Sequence, residues 1–150
     1  ERRMRQPSSL TRDELVRWPS VSMVLGSRVK LLGWRIRRSE RRHYLGRIFA
    51  TCASITLALP VYDTQCGAKA MRGGPALVDA LAAPFLSRWL FDVELIARLR
   101  DAMGEAALRE LPLPRWEDPG GSSVGLRDFL RAPLELWRIW RRYPPTAGGG

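Results

Sequence analysis

Short strand-like runs alternating with helical ones predict an α/β or α+β domain, and three observations carry that expectation. Val21-Ser22-Met23-Val24-Leu25 alternates and stops at Gly26-Ser27, as a buried strand feeding a loop does. Phe91, Leu95, Leu99 and Met103 recur at helical spacing before Gly104, with Leu90 and Ile96 nearby, which makes residues 91–103 an amphipathic helix. Glu110-Leu111-Pro112-Leu113-Pro114 has the prolines that a strand tolerates only at a sheet edge. The 150 residues are 45% apolar and 27% charged, enough to bury one core and unlike a disordered, collagenous, coiled-coil or repeat sequence.

The remaining elements follow in order. Residues 1–20 form a polar, basic lead-in, with a loop at Pro7-Ser8-Ser9 and a short helix capped at Thr11 with Asp13 and Glu14 in its first turn, ending before Pro19. From Arg28 to Arg47 eight basic residues accompany one acid, Glu40, and from Ile48 to Leu59 the chain is almost wholly apolar or small. That pattern predicts a helix with a basic first part and a buried second part, stopped by Pro60. The apolar run is too short to cross a bilayer, which needs about 20 residues. It is either a core helix or one dipping into an interface. A polar turn at 62–67 leads to a short strand at 68–72, ended by Gly73-Gly74, and a helix is expected from Pro75 to Ala82. Residues 116–125 read as a Gly/Ser/Pro-rich loop. The last helix runs from Leu126 to Tyr143, kinked or begun at Pro133, and its part at 131–143 is basic and amphipathic; residues 144–150 are expected to be disordered.

Charge narrows the function classes. There are 25 basic and 15 acidic residues, a net charge of +10, and only Lys30 and Lys69 are lysine. Residues 1–50 carry 13 basic and four acidic side chains, so the basic surface belongs to the first third and an anionic partner is expected. Arginine could serve bidentate recognition of phosphate or carboxylate, although coding bias explains the same preference. Cys52, Cys66 and the single His43 lie at no zinc-ligand spacing, so no structural metal is expected, and two cysteines fit reduced thiols in a cytoplasmic setting. The sequence has no phosphate loop ending in Lys-Ser/Thr, no Gly-x-Gly-x-x-Gly after a strand and no Gly-x-Ser-x-Gly elbow. Most nucleotide-binding and hydrolase signatures are thereby excluded.

Four ordered segments remain: Gly26-Ser27-Arg28 with its trailing arginines, Asp63-Thr64-Gln65-Cys66-Gly67-Ala68-Lys69, Phe91-Asp92-Val93-Glu94-Leu95, and Glu110-Leu111-Pro112-Leu113-Pro114-Arg115-Trp116. Their order resembles the second half of a family 2 inverting glycosyltransferase of the polyprenyl-phosphate type, closest to dolichyl-phosphate β-glucosyltransferase. The resemblance covers roughly residues 20–130 and departs at Ala68, where that family usually has an aromatic. It implies the acceptor-side half of a nucleotide-diphospho-sugar transferase (GT-A-like) α/β domain over residues 21–130. It also implies transfer of a sugar, glucose on the closest resemblance, from a nucleotide sugar to a polyprenyl phosphate.

Such enzymes hold the nucleotide sugar and a divalent metal, Mg or Mn, in an N-terminal half that this sequence does not show. No secretory signal is visible in Glu1 to Leu10, and the chain is therefore expected to be a fragment, inactive alone and binding no metal itself. By the same resemblance Arg28 is the first candidate for gripping a phosphate, with Arg38, Arg41, Arg42 and Lys69 behind it, and Asp63 and Gln65 are candidates to orient sugar or acceptor. Each has a plainer reading: a solvated basic helix face for the three arginines, a turn cap for Asp63, a strand-surface position for Lys69. Asp92 and Glu94 suit the start of a helix, where acids meet the dipole and hold loops. The Trp/Arg tail helix and the basic stretch fit peripheral seating on an anionic membrane, at the cytoplasmic face. The competing reading of the tail helix is that its apolar side packs on the domain. Two other classes stay open, a basic nucleic-acid-binding module and a non-catalytic membrane-associated scaffold. No recognition-helix pattern or strand-borne aromatic set supports nucleic acid as a partner.

Overall fold

Strand β1 (Met23–Ser27) is buried along its whole length because it is the middle strand of a three-stranded sheet. Antiparallel β3 (Lys69–Met71) lies on one side and parallel β4 (Leu108–Pro112) on the other. Its side chains alternate between faces. Met23 and Leu25 enter the main core, and Val24 points to the other face with Leu15 and Val21. The computed structural model describes residues 6–29, 32, 35–37, 40–117 and 126–145, without the side chains of 35, 37, 40–43 and 126. Over these residues the chain is a small mixed α/β domain with five α-helices and a second, two-stranded sheet.

Helix α1 (Pro7–Arg17) covers the Val24 face. It begins four residues before the expected cap at Thr11, because proline fits the first helical position, where its missing N–H costs nothing. Thr11 is instead buried inside the helix and donates its hydroxyl to the Ser8 carbonyl at 3.1 Å. Arg72, just beyond β3, fastens α1 to the sheet by donating to the Leu15 carbonyl (2.6 Å) and the Val21 carbonyl (3.1 Å).

The basic stretch after β1 is not one helix. Arg35–Arg37 forms β2, parallel to β5 (Arg115–Glu117), with Ile36 opposite Trp116. Helix α2 starts only at Glu40 and ends at Leu57, before Pro60 is reached. Ala58 takes a left-handed conformation (φ 48°), and the Leu59 N–H reaches back to the Ser54 carbonyl at 3.2 Å, a helix-ending motif. Only one stripe of the apolar run is buried: Phe49, Ala53 and Leu57 enter the core, while Ile48 and Ile55 face outward.

Helices α3 (Pro75–Ala82) and α4 (Phe91–Met103) stand where proline, glycine and periodicity place them. The surface of α4 differs from the expected single stripe. Phe91 and Met103 at its ends are exposed, whereas every residue from Asp92 to Arg100 is buried, so α4 is a central helix. A single 3-10 turn (Glu105–Ala107) leads into β4, which begins two residues earlier than expected and is an edge strand. Part of the expected loop at 116–125 belongs to β5, and residues 118–125 lie outside the described residues. Helix α5 (Leu126–Arg142) matches the expected range 126–143 to within a residue and continues through Pro133 rather than beginning there. Most of the expected disordered tail, residues 146–150, lies outside the described residues.

Gly26 is the tightest point of the sheet. Its N–H bonds to the Ala68 carbonyl at 2.7 Å, and a Cβ there would meet that oxygen at 2.9 Å, Leu113 Cδ1 at 3.0 Å and Ala68 Cβ at 3.1 Å. Gly26→Ala is expected to destabilise the fold by about 1–3 kcal/mol through overpacking, read as a lowered urea midpoint at unchanged slope.

Candidate functional site

The carboxyl ends of the parallel strands β1 and β4 and the amino end of β3 meet at one edge of the sheet, and four separated stretches of chain lock together there. Arg28, the first residue after β1, holds Asp63 from the 62–67 turn. Its backbone N–H and its Nε both donate to Asp63 Oδ2, at 3.1 and 2.6 Å, and Nη2 donates to Oδ1 at 2.9 Å. The two side chains are almost buried, 12% and 9% exposed, so the planar fork works in a medium where charge-assisted bonds are strong. The Arg28 guanidinium also lies over the Trp116 ring of β5, 5.6 Å from its centroid. From β4, the Glu110 carboxylate accepts the Tyr62 N–H at 2.9 Å and the Asp63 N–H at 2.7 Å. Asp63 is therefore fixed through both its side chain and its backbone.

Lys69 closes the other side. Its Nζ donates to the Cys66 carbonyl and pairs with Asp92 Oδ1 at 3.1 Å, in the first turn of α4. Burial pushes the Asp92 carboxyl above its ordinary value, against the opposing pull of Lys69. Burial does the same to Glu110, although the N–H groups of Tyr62 and Asp63 oppose it, and burial pushes the Cys66 thiol up. Ser27 Oγ sits near enough to Glu110 to favour its ionised form without a hydrogen bond of ordinary geometry. Thr64 Oγ1 and Gln65 Nε2 are buried with no hydrogen-bond partner among the described residues. Leaving such groups unsatisfied costs roughly 1–3 kcal/mol each. An oxygen-rich ligand would recover that cost.

Of the residues singled out from sequence, Arg28, Asp63, Gln65 and Lys69 share this edge. Arg38 lies outside the described residues, and Arg41 and Arg42 occupy the first turn of α2 with side chains outside the description. Neither Arg28 nor Lys69 stands open to solvent as a lone cation, because each grips a carboxylate. Three participants escape a reading of the site from sequence: Glu110, Asp92 as the partner of Lys69, and Trp116. Nothing within β4 marks Glu110, since only its pairing with β1 carries it over the 62–63 backbone. For Lys69 a signal exists: a lysine next to a buried turn needs an acid, and Asp92 stands in the first turn of α4.

The carboxylates here do not fit a divalent cation. Asp63 is engaged by Arg28, Asp92 by Lys69 and Glu110 by backbone donors, and the described residues hold no group of three or more His, Cys, Asp or Glu placed to bind one. Among the described residues no helix is long and apolar enough to cross a membrane. Comparison with models of known families, with curated proteins and with solved structures gives no match.

Two outcomes follow from this burial. Cys52 is exposed and Cys66 is buried with a raised pKa, so a thiol reagent at neutral pH is expected to modify Cys52 in the native protein and Cys66 only on unfolding. Peptide mass mapping of the labelled protein would show it. Glu110 has a folded pKa above its ordinary 4.5, so the folded state holds its proton over a pH range where the unfolded state has lost it. Its contribution is full below 4.5 and is lost as pH rises through the folded value. The unfolding free energy of wild type minus that of Glu110→Gln is therefore expected to fall as pH rises across that window, measured by urea titration.

Proposed function

We propose that this chain is the acceptor-side part of a GT-A-like glycosyltransferase that moves a sugar, glucose on the closest resemblance, from a nucleotide sugar to a polyprenyl phosphate with inversion. The observation that carries the proposal is the convergence of all four resembling segments. Residues 28, 63, 110 and 116 touch one another, and Lys69, bonded to the Cys66 carbonyl of the same turn, pairs with Asp92. Unrelated surface motifs have no reason to interlock in this way.

In the reaction a phosphate oxygen of the lipid attacks the anomeric carbon. The bond from that carbon to the nucleoside diphosphate breaks, and the diphosphate leaves with the electron pair. The attacking phosphate is already anionic, so the site must position it and balance its charge more than deprotonate it. Arg28 positions Asp63, and Asp63 with the unpartnered amide of Gln65 orients sugar hydroxyls. Lys69 answers the phosphate. Asp92 must give Lys69 up when the phosphate arrives. The donor nucleotide and the metal expected with it are held, on this proposal, by a part of the enzyme outside these 150 residues.

The test is transfer of labelled glucose from UDP-glucose to a polyprenyl phosphate by the upstream-extended parent protein, with Mg or Mn present. Arg28→Ala is expected to lower the rate on the order of 100-fold, since loss of a positioning contact misplaces Asp63. Arg28→Lys keeps the charge without the fork and should recover only part of it. Absence of lipid-linked product from the wild-type protein across several nucleotide sugars would overturn the proposal.

A further inference from the structure

Helix α5 is amphipathic in two directions at once. Ala132, Leu136 and Ile139 pack into the main core. Leu130, Leu134, Trp137 and Trp140 lie on another part of the helix and stay exposed, Leu130 at 72% and the two tryptophans at nearly half. Spacings of four, three and three residues place them in one stripe along the axis. Arg127, Arg131, Arg138 and Arg142 follow beside that stripe, all exposed, and Arg141 stacks over Trp137 at 5.3 Å. The two acids of the helix, Asp128 and Glu135, are half-buried, and Glu135 accepts the Ser87 hydroxyl.

Helix α2 repeats the arrangement. It packs beside α5, and both contact α4. Arg100 of α4 donates to the carbonyl of Leu57, the last residue of α2, and to that of Tyr143, just past α5, so the two helices end together. Tyr44, Ile48 and Ile55 of α2 face outward, with Arg47 beside them. Two neighbouring helices on one support thus each carry exposed apolar residues with arginine beside them.

We infer that this α2/α5 face docks on the surface of an anionic lipid bilayer. The inference deepens the proposed function by naming the surface that presents its lipid acceptor. Charge complementarity selects this occupant over a second copy of the chain, because two such faces would bring arginine rows against each other. A bilayer meets both halves of the pattern: tryptophans seat at headgroup level and arginines meet anionic headgroups, while the helix lies in the interface plane.

The experiment is flotation of the protein with phosphatidylcholine vesicles, with and without one third phosphatidylserine, together with tryptophan emission. Flotation with the anionic vesicles, a blue shift, and weakening by salt are expected. Arg131→Gln/Arg138→Gln should reduce the bound fraction severalfold, and Leu134→Glu/Trp137→Glu should abolish it, with circular dichroism of each variant unchanged. Protein that stays in solution with anionic vesicles, that binds neutral ones equally, or that sediments as a dimer through this face would overturn the inference. Tighter salt-dependent binding to RNA than to the vesicles would also overturn it. Flotation is read without sugar transfer, so the two proposals fail separately. If both hold, Leu134→Glu/Trp137→Glu should lose transfer to acceptor in vesicles and keep it for acceptor in detergent.

Discussion

Two arginines on the buried helix α4 carry the constraint that organises the rest. A guanidinium out of water must place its N–H groups on acceptors, and helix C-termini offer carbonyls that lack intrahelical partners. Arg98 donates to the carbonyls of Ala80, Ala83 and Pro84 at the end of α3, and to Glu94 Oε1 and the Tyr143 hydroxyl. Arg100 takes the ends of α2 and α5. Three helix C-termini, each carrying partial negative charge, thus converge on two cations of one central helix. Glu94, itself completely buried, completes the balance by pairing with Arg98 at 2.6 Å and accepting the Leu86 N–H at 2.7 Å.

The same helix also positions the candidate site. The start of α4 delivers Asp92 to Lys69, and its end leads through the 3-10 turn into β4 and Glu110. Both carboxylates therefore arrive from elements tied to the same helix. On the opposite bank, β1 delivers Arg28 and the 62–67 turn delivers Asp63. The Arg28–Asp63 ion pair ties that bank together, and the contacts across are the Lys69–Asp92 pair and the backbone N–H groups that Glu110 accepts. Removing one partner of a buried pair costs about 3–5 kcal/mol, so the edge is a stiff platform.

How much of this is legible in the sequence depends on whether the signal is local. Pro75, Gly104 and the spacing of Leu95 and Leu99 bound α3 and α4 within the sequence itself, and Val21–Leu25 announces β1. The site segments are legible as ordered motifs, and Arg28 does meet Asp63, with Gln65 in the same turn and Lys69 just after it. Their pairing is not legible, because Arg28 and Asp63 are 35 residues apart and nothing in either stretch specifies the other. β2 and β5 are hidden for a related reason: three residues each, charged at both ends, they are strands only through mutual pairing. Pro7 reads as a loop signal and in fact starts a helix. The burial of α2 is less than its composition suggests, because composition does not say which side of an apolar helix meets the core, and Ile48 and Ile55 lie on the other side.

The clamp made by Arg100 has a consequence for the order in which the chain acquires structure during synthesis. Leu57 leaves the ribosome long before Arg100, and Tyr143 long after it, yet the guanidinium needs both carbonyls before it can leave water. A nascent chain ending between residues 100 and 143 can form α3 and α4 but has no partner ready for the last of these bonds. Closure of the interior around α4 must then wait for α5, and until it emerges the apolar residues that pack against it stay open to water.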